Sequence, residues 1–157
     1  MKQTIPNLLL VDDDNDDCLF FKEALQALPI SAFLTILHDG EQLMRLLHKR
    51  TTAPMPRRIL FLDLNMPRKN GFEVLSELRQ DKKIKKLPLI IYSTLSDQGV
   101  ANQLYEKGAH YYIANPSEFL QLKKVIYQAL LLTTISNVKR PTKENFVLNG
   151  DIGGIQL

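Results

Sequence analysis

The chain has 157 residues, 45% hydrophobic and 24% charged, which suits one well-buried core, is short for two, and excludes a disordered or collagen-like chain. Its 20 basic and 17 acidic residues leave a net charge of +3, too mild to indicate a nucleic-acid partner by itself. The single cysteine, Cys18, rules out an intramolecular disulfide framework and a cysteine-based metal cluster, and no apolar run approaches the roughly 20 residues that span a bilayer.

The amino-terminal MKQTIPNLLLVDDD has one lysine and runs straight from apolar residues into acid, which is not the pattern of a signal peptide, so a cytoplasmic location is expected. Within residues 5–11 the apolar run LLLV predicts a strand covered on both faces, as in a parallel sheet. It stops at DDDNDD, residues 12–17. From Asp16 the pattern is helical, with Cys18, Phe21, Leu25 and Leu28 at spacings of three and four until Pro29 ends the segment. AFLTIL (32–37) predicts a second strand, HDG a turn, and EQLMRLLHKR (41–50) a second helix with Leu43, Leu46 and Leu47 on one face. The loop TTAPMPRR leads to a third strand, ILFL (59–62), followed by the loop DLNMPRKNG, in which Pro67 and Asn70–Gly71 favour a turn.

FEVLSELRQ (72–80) predicts the third helix, and the lysine-rich DKKIKK after it reads as a solvated loop, because no aromatic or amide base reader is interleaved with the lysines. Pro88 opens a fourth strand, LIIY. STLSD then leads to a helix around Gln98–Lys107 with Gly108 at its carboxyl cap. HYYIA is a short fifth strand ending before Asn115–Pro116, and the last helix is expected over 117–132 with Ser117 as its N-cap.

Five strands alternating with five helices predict an α/β fold, doubly wound around a parallel sheet. In such sheets ligands gather beyond the carboxyl ends of the strands. Those positions are Asp12–Asp13–Asp14 after strand one, Asp63 after strand three, Ser93–Thr94 after strand four and Asn115 after strand five. If strands one and three are neighbours, Asp12, Asp13 and Asp63 lie close together, a costly arrangement that a hard divalent cation such as Mg²⁺ relieves. A carboxylate beside such an ion is a sound nucleophile for a phosphoryl group. Asp16 and Asp17 have a simpler explanation, as acids at a helix N-terminus.

Two other readings fit less well. Asp12, Asp14, Asp16 and Glu23 match the acidic positions of a calcium loop, but Asp17 replaces its glycine and a strand precedes it. A nucleotide site after strand one would need glycines or hydroxyls where the aspartates stand.

The motifs VDDD (11–14), LDLNMPRKNG (62–71), ST (93–94) and GAHYYIANP (108–116) resemble the receiver domain of two-component response regulators, above all the stand-alone receivers similar to those paired with bacterial phytochromes. The resemblance covers residues 5–134 and implies a flavodoxin-like sheet with strand order 2-1-3-4-5. It also implies Asp63 as phosphoacceptor and Mg²⁺ held by Asp13 directly, by Asp12 through water, and by Asp63 and the Asn65 carbonyl. Ser93 would be the switch hydroxyl and Tyr112 the aromatic that changes rotamer with it. Pro116 matches a proline whose peptide bond is commonly cis.

Two positions depart from the pattern: Asn115 stands where the family has lysine, and Thr94 where it has Ala or Gly. A neutral amide gives up a charge-assisted contact, about 1–2 kcal/mol.

His38, His48 and His110 show no metal-ligand spacing and read as turn or surface residues, Cys18 as core, and Met66 as a packing residue. The tail, residues 135–157, is short for an output domain; the expectation is open between a Phe146–Val147–Leu148 cluster that packs on the body or meets a partner and a tail that is disordered.

The expected function is a single-domain response regulator, not an enzyme beyond self-catalysed phosphoryl transfer. It would be phosphorylated on Asp63 by a histidine kinase or phosphotransfer protein, and its output would be protein binding, with a homodimer as one option and without nucleic acid or membrane. The alternative is a phosphorylation-independent interaction module, in which Asn115 marks the loss of switching. An aspartate phosphatase of the haloacid-dehalogenase type would need a second aspartate where this chain has Asn65.

Overall fold

The computed structural model describes residues 5–49, 57–66, 69–94, 98–134 and 139–157. Residues 1–4, residues 50–56, Pro67, Arg68, residues 95–97 of STLSD, and residues 135–138 lie outside them. Five strands form one parallel sheet: β1 (Asn7–Val11), β2 (Phe33–Leu37), β3 (Arg58–Leu62), β4 (Leu89–Ser93) and β5 (Tyr111–Ala114), in the order β2-β1-β3-β4-β5. The order agrees with that expected from the resemblance.

Leu8 to Val11 are fully buried because β1 is covered on both faces. On one face Leu8, Leu10, Phe61 and Ile90 pack under α1 (Asn15–Gln26) and α5 (Phe119–Thr133). Leu9, Val11, Leu60 and Ile91 face α2 (Gly40–Leu47), α3 (Gly71–Gln80) and α4 (Gln98–Glu106) on the other. The register pairs Val11 with both Leu37 and Leu62, so β1 and β3 end level and present Asp12 and Asp63 side by side.

The helix starts follow their capping chemistry. Asp14 caps α1, its carboxylate accepting from the Asp16 and Asp17 amides at 2.8 and 3.1 Å. Asp39 and Asn70 cap α2 and α3 in the same way. Gly71 has a second reason to be glycine: a Cβ there would lie 2.6 Å from the Asp63 carbonyl oxygen, so its lack of a side chain lets α3 close against the loop after β3. Gly108, at φ +97°, closes α4, with the Ala109 amide bonded back to Leu104. None of the described helices is long and apolar enough to cross a membrane.

Several expectations need correction. α1 stops at Gln26, leaving Leu28 buried just outside it, and α2 stops at Leu47 with Leu46 only half-buried. α5 begins at Phe119, whose ring meets Phe20 of α1 at 5.8 Å; Glu118 stands at the cap without a side-chain bond, so Ser117 is not the N-cap. No cis peptide occurs among the described residues, so Asn115–Pro116 is trans, and the Asn115 amide donates to Ser93 O at 2.7 Å.

His38 and His48 are exposed as expected, His48 pairing with Asp81 at 3.0 Å, but His110 is buried. Its Nδ1 accepts from the Leu89 amide at 3.1 Å and lies 3.2 Å from an Arg79 nitrogen. Burial and the neighbouring Arg79 push its pKa down to about 4, which keeps the ring neutral and Nδ1 an acceptor.

The tail packs on the body. The Tyr112 amide donates to Phe146 O at 3.0 Å and the Leu148 amide to Tyr112 O at 2.9 Å, a parallel bridge on the outer edge of β5. Phe146, 1% exposed, meets Tyr105 of α4 edge-on at 5.3 Å and stacks on Tyr112 at 6.5 Å. Arg140 lies over the Tyr105 ring, and Gln121 of α5 donates to Asn149 O at 2.9 Å.

Candidate metal and phosphoacceptor site

The carboxyl end of the sheet carries a cleft of about 150 Å³ lined by Asp12, Asp13, Asp63 and Asn65 on one side and by Tyr92, Ser93, Thr94 and Asn115 on the other. Carboxylate oxygens of Asp12, Asp13 and Asp63 all lie within 4.8 Å of one another. Asp12 is held by its buried backbone position, and its Oδ1 accepts from the Asp14 amide at 2.9 Å. Asp63 is fixed by the β1–β3 register, with its amide donating to Val11 O at 3.0 Å and its Oδ1 accepting from the Asn65 amide at 3.2 Å. Asp14 lies at the rim with its carboxylate turned to the start of α1, which explains how three consecutive aspartates divide their work.

Burial and the repulsion of neighbouring carboxylates raise Asp12 to about 7 and Asp63 to about 6. Burial is the larger cause for each; Asp63 acts most strongly among the charges on Asp12, and Asp13 among those on Asp63. Hard oxygen donors gathered around unbalanced negative charge fit a small divalent cation, which offsets the repulsion and completes its shell with water or phosphate oxygen.

The sign of the resulting pH effect follows from proton linkage. The folded state holds protons on Asp12 and Asp63 that the unfolded chain, with carboxylates near 3.8, has released, so stability without metal falls as pH rises from about 4 through about 7. A cation takes the place of those protons. The melting temperature is therefore expected to rise more with Mg²⁺ near pH 8 than near pH 5. Equal rises in thermal scans at both values would contradict raised pKa values at this pair.

Of the residues expected from sequence, the cleft brings together Asp12, Asp13, Asp63, Asn65, Ser93, Thr94 and Asn115. Tyr112 does not line it; this side chain is buried on β5 against Phe146. Two residues were missed. Asp17 turns from the first turn of α1 into the cleft, and Tyr92 reaches it from β4 with its hydroxyl donating to Asn115 Oδ1 at 2.7 Å. A lone phenol near the end of an aliphatic buried strand is the signal that would have found Tyr92.

Comparison with known proteins gives the family. The family model described as "Response regulator receiver domain" matches residues 8–127. Response regulator Rcp1 of Synechocystis sp. is 32% identical over 122 residues, covering 76% of this chain and 82% of its own. The crystal structure of the Mn²⁺-bound form of Rcp1 superposes with a TM-score of 0.68 at 29% identity, over 87% of this chain and 99% of that one. That of the phosphorylated cyanobacterial phytochrome response regulator RcpA gives 0.73 at 26% identity, over 88% and 99%. With the likeness running through both the sequence and the order of the sheet, the chain belongs to the response regulator receiver domain family of two-component signalling.

Proposed function

We propose that this receiver accepts a phosphoryl group on Asp63 from a histidine kinase or phosphotransfer protein in the cytoplasm, in a Mg²⁺-dependent reaction, and signals by binding another protein. The observation that carries the reading is the position of Asp63: at the end of β3, with carboxylate oxygens within 4.8 Å of those of Asp12 and Asp13. Metal- and phosphoryl-bearing relatives, Mn²⁺-bound Rcp1 and phosphorylated RcpA, support it.

Asp12, Asp13, Asp63 and the Asn65 carbonyl would hold the cation, which supplies neutralising charge for the transferring phosphoryl oxygens. Asp63 provides the attacking oxygen: a carboxylate O–P bond forms as the bond to the leaving group breaks, and the electron pair departs with that group. The Asn65 amide fixes Asp63 Oδ1, so the carboxylate is oriented before substrate arrives. The Ser93 hydroxyl, the exposed Thr94 and Asn115 face the same cleft as hydrogen-bonding groups for phosphoryl oxygens.

Intact-mass measurement after incubation with acetyl phosphate tests the reading. With Mg²⁺ the mass is expected to rise by one phosphoryl group, and with EDTA it should remain unchanged. No rise in the presence of Mg²⁺, or an equal rise in EDTA, would overturn it.

A further inference from the structure

β4 is aliphatic from Leu89 to Ile91 and then carries Tyr92, which is 1% exposed. Its ring is wedged edge-on against Phe21 of α1 at 5.5 Å, while the hydroxyl donates to Asn115 Oδ1 at 2.7 Å in the acid cleft. Burial, followed by the carboxylates of Asp17, Asp12 and Asp63, raises the phenol above its ordinary value, so the hydroxyl keeps its proton and the contact has one sense. Asn115 is thus held to β4 twice, by its backbone amide on Ser93 O and by its side-chain oxygen on Tyr92. With Oδ1 engaged, the NH₂ is the end of the amide left for a ligand.

We propose that Tyr92 is a positioning residue for phosphoryl transfer: by holding Asn115 Oδ1 it turns the Asn115 NH₂ toward the phosphoryl group arriving at Asp63, so the pair acts as one oriented hydrogen-bond donor. The proposal rests on the phosphoacceptor reading of Asp63. Orientation matters because the two ends of an amide act in opposite ways on a phosphoryl oxygen: NH₂ donates to it and the carbonyl repels it. Without the hydroxyl, the amide samples both arrangements. With acetyl phosphate as donor, the Asp63 oxygen bonds to phosphorus, the P–O bond to acetate breaks, and acetate leaves with the electron pair. Asn115 gives a hydrogen bond throughout and transfers no proton.

Tyr92→Phe removes the hydroxyl and keeps the ring that packs on Phe21. At saturating Mg²⁺ the initial rate of phosphorylation by acetyl phosphate is expected to fall about 3- to 10-fold, the range of one neutral hydrogen bond. Asn115→Ala should fall at least as far, and the double variant no further than Asn115→Ala, because the two residues act through one donor. Mg²⁺ affinity, measured by titration in each variant, should stay at the wild-type value. Asn115→Lys in the Tyr92→Phe background should recover the rate, since an ammonium donates in every orientation. Asn115→Asp supplies a second test that leaves Tyr92 intact: it keeps the acceptor oxygen, lacks the NH₂, and should be at least as slow as Asn115→Ala.

Wild-type rate in Tyr92→Phe, losses that multiply in the double variant, or wild-type rate in Asn115→Asp would each overturn the role of the pair while leaving Asp63 as acceptor. A wild-type protein that takes up no phosphoryl group would overturn the acceptor and this role together.

Discussion

Replacing Asp63 by Asn is expected to reduce phosphoryl uptake from acetyl phosphate to background and to raise the metal-free melting temperature. The loss is complete because an amide offers no nucleophilic oxygen to phosphorus, and no other carboxylate occupies its place level with Asp12 at the end of the neighbouring strand. The gain has a separate origin. Asp63 sits among carboxylates that resist its ionisation, so a neutral side chain of the same shape relieves repulsion at every pH above the raised values of Asp12 and Asp63. The stabilisation should shrink toward about pH 5, where the wild-type carboxylates already carry protons. Mass spectrometry reads the first effect and calorimetry the second. Persistent phosphorylation of the variant would assign the acceptor elsewhere, and an unchanged melting temperature near pH 8 would mean that the repulsion is already screened.

The second large effect concerns the tail. Phe146 is 1% exposed between Tyr105 and Tyr112, and truncating a buried phenylalanine costs about 3–5 kcal/mol. The tail's other contacts include the two backbone bonds to Tyr112, Arg140 over the Tyr105 ring, the Tyr105 hydroxyl donating to Pro141 O, buried Leu148, and bonds with Gln121 and Gln128, all at the β5 side of the molecule. Phe146→Ala is therefore expected to release it locally rather than unfold the domain. Amide exchange should show lost protection at Tyr112 and Leu148, with protection of β1 and β3 retained. A Tyr112 amide that stays protected in the variant would show that the backbone bridge holds without the ring.

The helices and strands could be read from the sequence because each carries its own period: continuous apolar runs for doubly covered strands, and spacings of three and four for the helices. The acid site was legible for the same reason. Asp12, Asp13 and Asp63 each follow a recognisable strand, and the fold class says where strand ends meet. Strand order came from resemblance, since crossovers of similar length permit more than one arrangement.

What escaped sequence reading depends on partners distant along the chain. His110 looks like a turn residue until the β4–β5 pairing sets its Nδ1 on the Leu89 amide and Arg79 beside it. The Tyr92–Asn115 bond needs the same pairing. Phe146 and Leu148 alternate as strand residues do, but three residues are too few to distinguish a bridge from a loop.

The Tyr112–Val147 bridge also makes the two sides of the sheet unequal toward other molecules. Beyond β5, the Tyr112 amide and carbonyl are already paired to Phe146 and Leu148, so an incoming extended peptide meets a filled border. Among the described residues, β2 has no such cover: β1 pairs with its inner side, and Phe33 at its start is 63% exposed. Of the two borders, that of β2 is the one the described residues leave open to an added strand. Releasing the tail would open a second border, on the far side of the molecule, and turn a one-sided sheet into a two-sided one.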